Sequence, residues 1–261
     1  MRHLAVLSAA AGLLAVLASP LALAQSLDVA ANSLMRLPGN SSSVELQQLT
    51  VADYGTLLIP ENLSQLNVQQ LRLGHEARIT IVPSQRDLQV TVQQAVLESG
   101  SQFVSRGAPG TYTKAALPAR NLNLQIVALQ ADQLSVDARG GNGAPGYVGL
   151  DGAGGEAPGC TWGEAGRGSN GSNGGDGRDG AAGALVRLQL PLSFPAERVT
   201  VRVEGGNGGA PGVAGKPGAG GAPKGCLVYR AAPACPGSPA SPARRGNGCS
   251  SGHDRAARVT F

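Results

Sequence analysis

The chain has 261 residues, 39 of them glycine, with 3% aromatics, four cysteines and a formal net charge of +4. So few aromatics cannot furnish a conventional large core. So small a charge, with no lysine–arginine run and no stacking platform, excludes nucleic acid as a partner. No CxxC occurs and the histidines past the start, His75 and His253, stand apart, so neither a metal nor another cofactor is expected.

Residues 1–24 read as a secretory signal peptide. Arg2 gives a basic start, Leu4 to Leu17 is apolar, and Ala22-Leu23-Ala24 is a small-x-small cleavage site before Gln25. A membrane anchor is the alternative, but the stretch is short of a full span and Pro20 interrupts it. No later segment reaches spanning length. The expectation is an exported protein, secreted, periplasmic or at the cell surface, with no transmembrane segment.

Residues 25–139 repeat. "LQQLTVADYGTLLI" (46–59), "VQQLRLGHEARITI" (68–81) and "VQQAVLESGSQFVS" (92–105) follow one another, Gln69 lying 22 residues after Gln47 and Gln93 a further 24 on. Apolar residues alternate within each unit, as in Leu49, Val51, Leu57 and Ile59, which is the period of a strand with one wet face. A unit this small cannot bury its apolar row alone, so copies must stack. After an insertion at 108–121, "LSVDARGG" (134–141) resumes the pattern. The expected class is all-β: a β-solenoid, as a right-handed β-helix, with a β-sandwich as the alternative. Asp53, His75, Glu76 and Arg78 fall in or near a turn of this repeat. They are the only candidates for a polysaccharide-cleaving site, and polar residues are ordinary in turns.

Seven glycines precede Arg139 and thirty-two follow it. In residues 140–261, strand-like stretches at 184–190, 198–204 and 257–261 alternate with glycine tracts. One tract carries glycine every third residue from Gly140 to Gly155, breaks, and resumes from Gly168 to Gly183. The second runs from Gly206 to Gly221, breaks, and returns in degenerate form from Gly237 to Gly252. Equal legs about a break suggest two hairpins inserted between terminal strands (184–204, 257–261). Sixteen residues in an extended threefold helix would reach roughly 50 Å. These Gly-x-x legs with a few cysteines resemble the springtail antifreeze proteins, the glycine-rich tips of phage adhesins and the bacterial collagen-like proteins. The first two imply a polyglycine II-like bundle. A disordered insertion and an intermolecular collagen trimer are the other readings.

Three motifs mimic chemistry. "GNGAPG" (141–146) matches a dinucleotide fingerprint, but Pro145 and the continuing triplets forbid the helix that would hold a pyrophosphate. "GGDGRD" (174–179) spells half of a calcium nonapeptide in a single copy, and its carboxylates read as a solvated face. "GCSSG" (248–252), followed at once by His253 and Asp254, lacks the strand–turn–helix that a nucleophile elbow requires. No catalytic residue is assigned. Cys160, Cys226, Cys235 and Cys249 are expected in disulfides, of undetermined pairing, since the chain is exported. Trp162 and Tyr229 lie in the two breaks beside Glu164, Arg167 and Arg230, which makes the hairpin tips the candidate recognition site. The functional expectation is a non-enzymatic structural or adhesive protein binding a cell-surface, matrix or polysaccharide ligand, with self-association allowed. The alternatives are an ice- or carbohydrate-binding protein and a polysaccharide-active β-helix enzyme.

Overall fold

The computed structural model describes residues 25–160, 164–225, 236, 238, 240, 241, 243 and 244, and the backbone of 258–260. The expected signal peptide, residues 1–24, lies outside the described residues.

Consecutive strands alternate between two parallel sheets. The first holds seven strands: β1 (Ser26–Val29), β3 (Ser43–Val51), β5 (Gln65–Leu73), β7 (Leu88–Leu97), β9 (Leu122–Ala131), β11 (Val186–Gln189) and β13 (Arg258–Thr260). The second holds six, β2 (Leu34–Arg36), β4 (Thr56–Ile59), β6 (Arg78–Ile81), β8 (Gln102–Val104), β10 (Leu134–Asp137) and β12 (Val199–Arg202). The only described helix is a single 3-10 turn, Ala196–Arg198.

The expected all-β class holds, but its architecture is corrected by this topology. A β-solenoid, specifically a right-handed β-helix carrying two Gly-x-x hairpins as a polyglycine II-like bundle, is replaced by two parallel sheets with no closed solenoid. Repeat length and alternation dictate that copies stack and which row turns inward. They do not dictate how the strands of successive copies group into sheets, because that depends on the turns between them.

The stacking is in register, so like residues pile on like. In the second sheet Met35, Leu57, Ile79, Phe103, Val136 and Val201 form one inward column. Leu46, Val68, Val92 and Ile126 form another in the first sheet. Phe103, Leu57 and Ile79 are fully buried, and each such side chain contributes about 1.5–3 kcal/mol. The alternation skips once per copy: Gln47 and Gln48, like Gln69 and Gln70, are both exposed, so each long strand bends there.

The turns stack too. Asn32, Tyr54, Glu76 and Gly100 all adopt positive φ (54°, 57°, 54° and 74°), and each of the first three donates its N–H to the next turn, at Asp53, His75 and Ser99. That ladder offsets the cost of a left-handed backbone at three non-glycine residues.

Arg120 is fully buried at the end of the 108–121 insertion. Its Nε donates to the Arg86 carbonyl at 2.7 Å, Nη1 to Pro60 at 3.2 Å, and Nη2 to Leu63. The Arg120 carbonyl accepts from Ser105 Oγ at 2.7 Å. One side chain thereby clips its own segment to two loops, 60–64 and 82–87. Burial, and then the charge of Arg86, hold the Arg120 pKa below its ordinary value, with Asp87 opposing them.

Candidate functional site: the glycine legs

Three glycine legs grow directly out of the sheets. Leg 1 (residues 140–155) continues β10, leg 2 (166–183) runs back into β11, and leg 3 (205–221) continues β12. Every third residue of each leg donates its N–H to the next leg, in a closed cycle. Leg 1 donates to leg 3 from Gly140, Gly143, Gly146, Gly149, Gly152 and Gly155, to the carbonyls of Glu204, Asn207, Ala210, Val213, Lys216 and Ala219. Leg 3 donates to leg 2, as in Gly212 to Gly175 and Gly215 to Ser172, both 2.9 Å. Leg 2 donates to leg 1, as in Gly175 to Tyr147 at 2.8 Å and Ser172 to Leu150 at 2.9 Å. The residue numbers rise together between legs 1 and 3 and run oppositely in the other two pairs. Legs 1 and 3 are therefore parallel, and leg 2 is antiparallel to both.

The glycine stripes face inward between legs. A Cβ on Gly146 would lie 1.8 Å from the Gly175 carbonyl oxygen, one on Gly212 1.8 Å from that of Tyr147, and one on Gly171 2.1 Å from that of Gly215. No side chain fits. Glycine is required because three backbones approach to hydrogen-bond distance. The doubled glycine at Gly174-Gly175 has its own cause: the Tyr147 ring lies against Gly175, where a Cβ would come within 2.4 Å.

Asparagine and aspartate cap the outer edges. Asn142 Oδ1 accepts the Asn207 N–H at 3.0 Å and Asp151 Oδ1 accepts that of Lys216 at 2.7 Å. On leg 2, Asn170, Asn173 and Asp176 accept the N–H groups of Ser238, Ser241 and Arg244 at 2.6, 2.7 and 2.5 Å. Asp176, part of the calcium-like string, is thus committed to a backbone amide. The sequence alone puts Asp176 on a solvated face and gives the capping asparagines no role, although the three-residue spacing of Asn170, Asn173 and Asp176 along leg 2 is legible in it.

A further segment joins the legs. Residues 106–119 double back, Leu117 donating to Ala108 at 2.9 Å. Gly107 and Gly110 donate to the carbonyls of Arg139 and Asn142, both at 2.8 Å. Arg178 Nη2 reaches the Tyr112 carbonyl at 2.6 Å.

At the junction between sheet and leg, Asp137 is 9% exposed. Arg139 holds its carboxylate with two bonds of 2.9 and 2.8 Å, and Arg106 stands 3.7 Å away. Burial opposes ionisation of Asp137, but the side-chain and backbone bonds from Arg139, and the two positive charges, outweigh it and hold the carboxyl below its usual range. The same side-chain bond raises the pKa of Arg139.

Of the expected tip residues, Glu164 and Arg167 are exposed, and Arg167 Nε donates to the Pro236 carbonyl at 3.5 Å. Trp162, Tyr229 and Arg230 lie outside the described residues, as do Cys226, Cys235 and Cys249. Cys160 is exposed and disulfide-bonded. The legs end together: Gly166 donates to Glu156 and Gly221 donates to Gly166, both at 2.9 Å. Both breaks therefore leave from the same end.

The polar turn residues also come together. His75 Nδ1 lies 2.9 Å from Ser99 Oγ, the Tyr54 and His75 rings meet edge-on with centroids 5.5 Å apart, and Arg78 lies 3.7 Å from Glu76. Asp53, however, accepts the backbone N–H of His75 at 2.9 Å rather than orienting its imidazole. The arrangement braces stacked turns and lacks the acid–histidine bond of a nucleophilic triad. Among the described residues no cluster of three or more His, Cys, Asp or Glu could hold a metal, and no helix is long and apolar enough to cross a membrane.

No family model, curated protein or solved structure matches this chain.

Proposed function

We propose that this is an exported structural or adhesive protein whose working part is the three-legged glycine post, and that it acts by presentation rather than by catalysis. One observation carries the reading: the closed cycle of hydrogen bonds running the whole length of the three legs. Extended legs of this kind have no internal hydrogen bonds and are soft alone. Cross-bonded at every third residue, they form a stiff post of roughly 50 Å, at about 3.1 Å per residue. Both sequence breaks leave from its far end, so Glu164 and Arg167 are carried there on a rigid support, and Trp162, Tyr229 and Arg230 belong to the same two breaks in the sequence. The ligand class is a cell-surface, matrix or polysaccharide component.

The test is binding of the purified protein to immobilised cell envelopes and polysaccharides, with and without the double substitution Trp162→Ala and Tyr229→Ala. The expected result is loss of binding with melting unchanged. Retained binding removes the tips from the reading.

A second reading, binding of a neutral polysaccharide along the sheet, is favoured by the outer face of the seven-stranded sheet. There Glu45, Asn67, Thr91 and Gln125 align across four strands, and Glu45, Asn67, Gln69, Thr91 and Gln93 line an open groove of about 350 Å³. A row of amides and hydroxyls with a single carboxylate suits an uncharged, hydroxyl-rich ligand.

A further inference from the structure

The stacked copies keep one length as far as β6 and then depart from it twice. Thr56 pairs with Arg78, 22 residues on, whereas Gln65 pairs with Gln89, 24 on, and Leu88 with Leu122, 34 on. Because β6 still sits in the 22-residue register with β4, the two extra residues lodge in the loop 82–87. The longer excess is the 108–121 insertion. Both changes fall where the chain crosses from the second sheet to the first, the same crossing from which leg 1 departs. Length changes gathered on one side of a stack of repeats commonly mark its binding face.

Both departures line one open cleft of about 480 Å³. Pro83, Leu117 and Pro118 form its apolar wall, and Leu117 is 50% exposed. Glu61 and Asn62 come from the loop 60–64, Gln85 and Arg86 from the loop 82–87. Glu61 and Arg86 are exposed, and among the described residues neither has an ion-pair partner, not even the other. The cleft thus carries one free carboxylate and one free guanidinium on two different loops. Arg120 fixes both loops, bonding the carbonyl of Pro60, next to Glu61, and that of Arg86 itself. Its guanidinium donates only to carbonyls among the described residues, and the charge of Arg86 repels it. An anion at Arg86 would offset that repulsion.

We propose that this cleft binds a short peptide with both ends free, its ammonium on Glu61, its carboxylate on Arg86 and an aliphatic side chain against Leu117 and the two prolines. Three features select that ligand. Opposite, unpaired charges in one cleft are complementary to a molecule that carries both signs. The volume is that of a small-ligand site, enough for about two to three residues. And no aromatic ring lines the cleft, so a sugar finds no face to stack on, whereas an aliphatic wall suits a leucine side chain. Loops already held by Arg120 need little ordering when the ligand arrives, which favours binding. The inference goes beyond the adhesive reading and is independent of tip recognition, because the cleft lies among the loops of the stacked strands and not on the post.

The test is isothermal titration of the mature chain (25–261) with the tripeptide Ala-Leu-Ala and its end-blocked forms. The free tripeptide is expected to bind with a Kd of about 10 μM to 1 mM, and either N-acetylation or C-amidation should weaken it by at least about tenfold. The losses should pair with the residues. In Glu61→Gln, acetylation should cost less than about twofold while amidation still costs its full amount, and in Arg86→Gln the reverse should hold. Both substitutions change exposed side chains, so melting should not move. Trp162→Ala with Tyr229→Ala should leave this titration unchanged, so that the cleft and the tips are refuted separately. A wild-type chain that takes up no Ala-Leu-Ala at about 10 mM overturns the proposal. So do end-block losses that persist in full in both variants, and so does binding of cellohexaose in the cleft in place of the peptide.

Discussion

Replacing Gly212 with valine tests whether the glycine stripe is a contact surface. The new Cβ would stand 1.8 Å from the Tyr147 carbonyl oxygen, 2.6 Å from its carbon and 3.1 Å from the Gly146 carbonyl carbon, all backbone atoms that cannot rotate away. Relief needs a separation near the ordinary contact distance of about 3.5 Å, so legs 1 and 3 must part by roughly 1.5 Å. The Gly146–Ala210 and Gly149–Val213 bonds, 2.9 and 2.7 Å long, then exceed hydrogen-bonding range, and the Gly212–Gly175 bond of 2.9 Å is skewed. Three bonds at about 0.5–1.5 kcal/mol each put the cost at roughly 1.5–4.5 kcal/mol. Two controls bracket it. Val213→Ala alters an exposed side chain and should stay within about 0.5 kcal/mol. Gly154→Ala adds a Cβ whose nearest neighbour is the Ala219 oxygen at 3.8 Å, and should be neutral or slightly stabilising. The assay is hydrogen exchange at the Gly146 and Gly149 amides, with proteolysis of the legs in parallel. Equal protection in Gly212→Val and Val213→Ala would refute close backbone packing as the reason for the glycines.

Further outcomes follow from the same structure. Phe103→Ala empties the middle of an inward column at a residue 1% exposed, and urea unfolding should register a loss of about 3–5 kcal/mol. Arg120→Met keeps most of the volume but leaves the carbonyls of Leu63 and Arg86 without that donor and Pro60 with the Leu63 N–H alone, at 3.4 Å. At about 1–3 kcal/mol for each acceptor left bare, it should destabilise by several kcal/mol and loosen both loops, 60–64 and 82–87, in hydrogen exchange. Because the folded Asp137 pKa lies below its unfolded value, its contribution is present above the unfolded carboxylate range and disappears as pH falls through the folded pKa. Asp137→Asn should therefore destabilise at neutral pH and flatten the acid limb of a melting-temperature profile, whereas an unchanged limb would show that Asp137 carries none of it.

The periodicities were local and legible. Leu49, Val51, Leu57 and Ile59 announced an inward row because alternation in a strand translates directly into one buried face. The three-residue glycine spacing marked the positions where no side chain could be accommodated, from Gly140 to Gly155 and again from Gly206 to Gly221. Neighbours were not legible. A glycine stripe says that something comes close, but whether leg 1 meets one leg or two depends on where β10, β11 and β12 release the chain. Only that placement made the threefold cycle and brought residues 106–119 beside leg 1. The grouping of strands into two parallel sheets, against the expected solenoid, was likewise set by the stacked turns at Asn32, Tyr54, Glu76 and Gly100, three of which adopt a backbone that their side chains do not favour. Arg120 is the sharpest case. Nothing in its neighbourhood distinguishes it from a surface arginine, and it is buried because two loops distant in sequence turn their carbonyls toward one point. Local repetition determined which residues face inward; contacts between distant segments decided what they face.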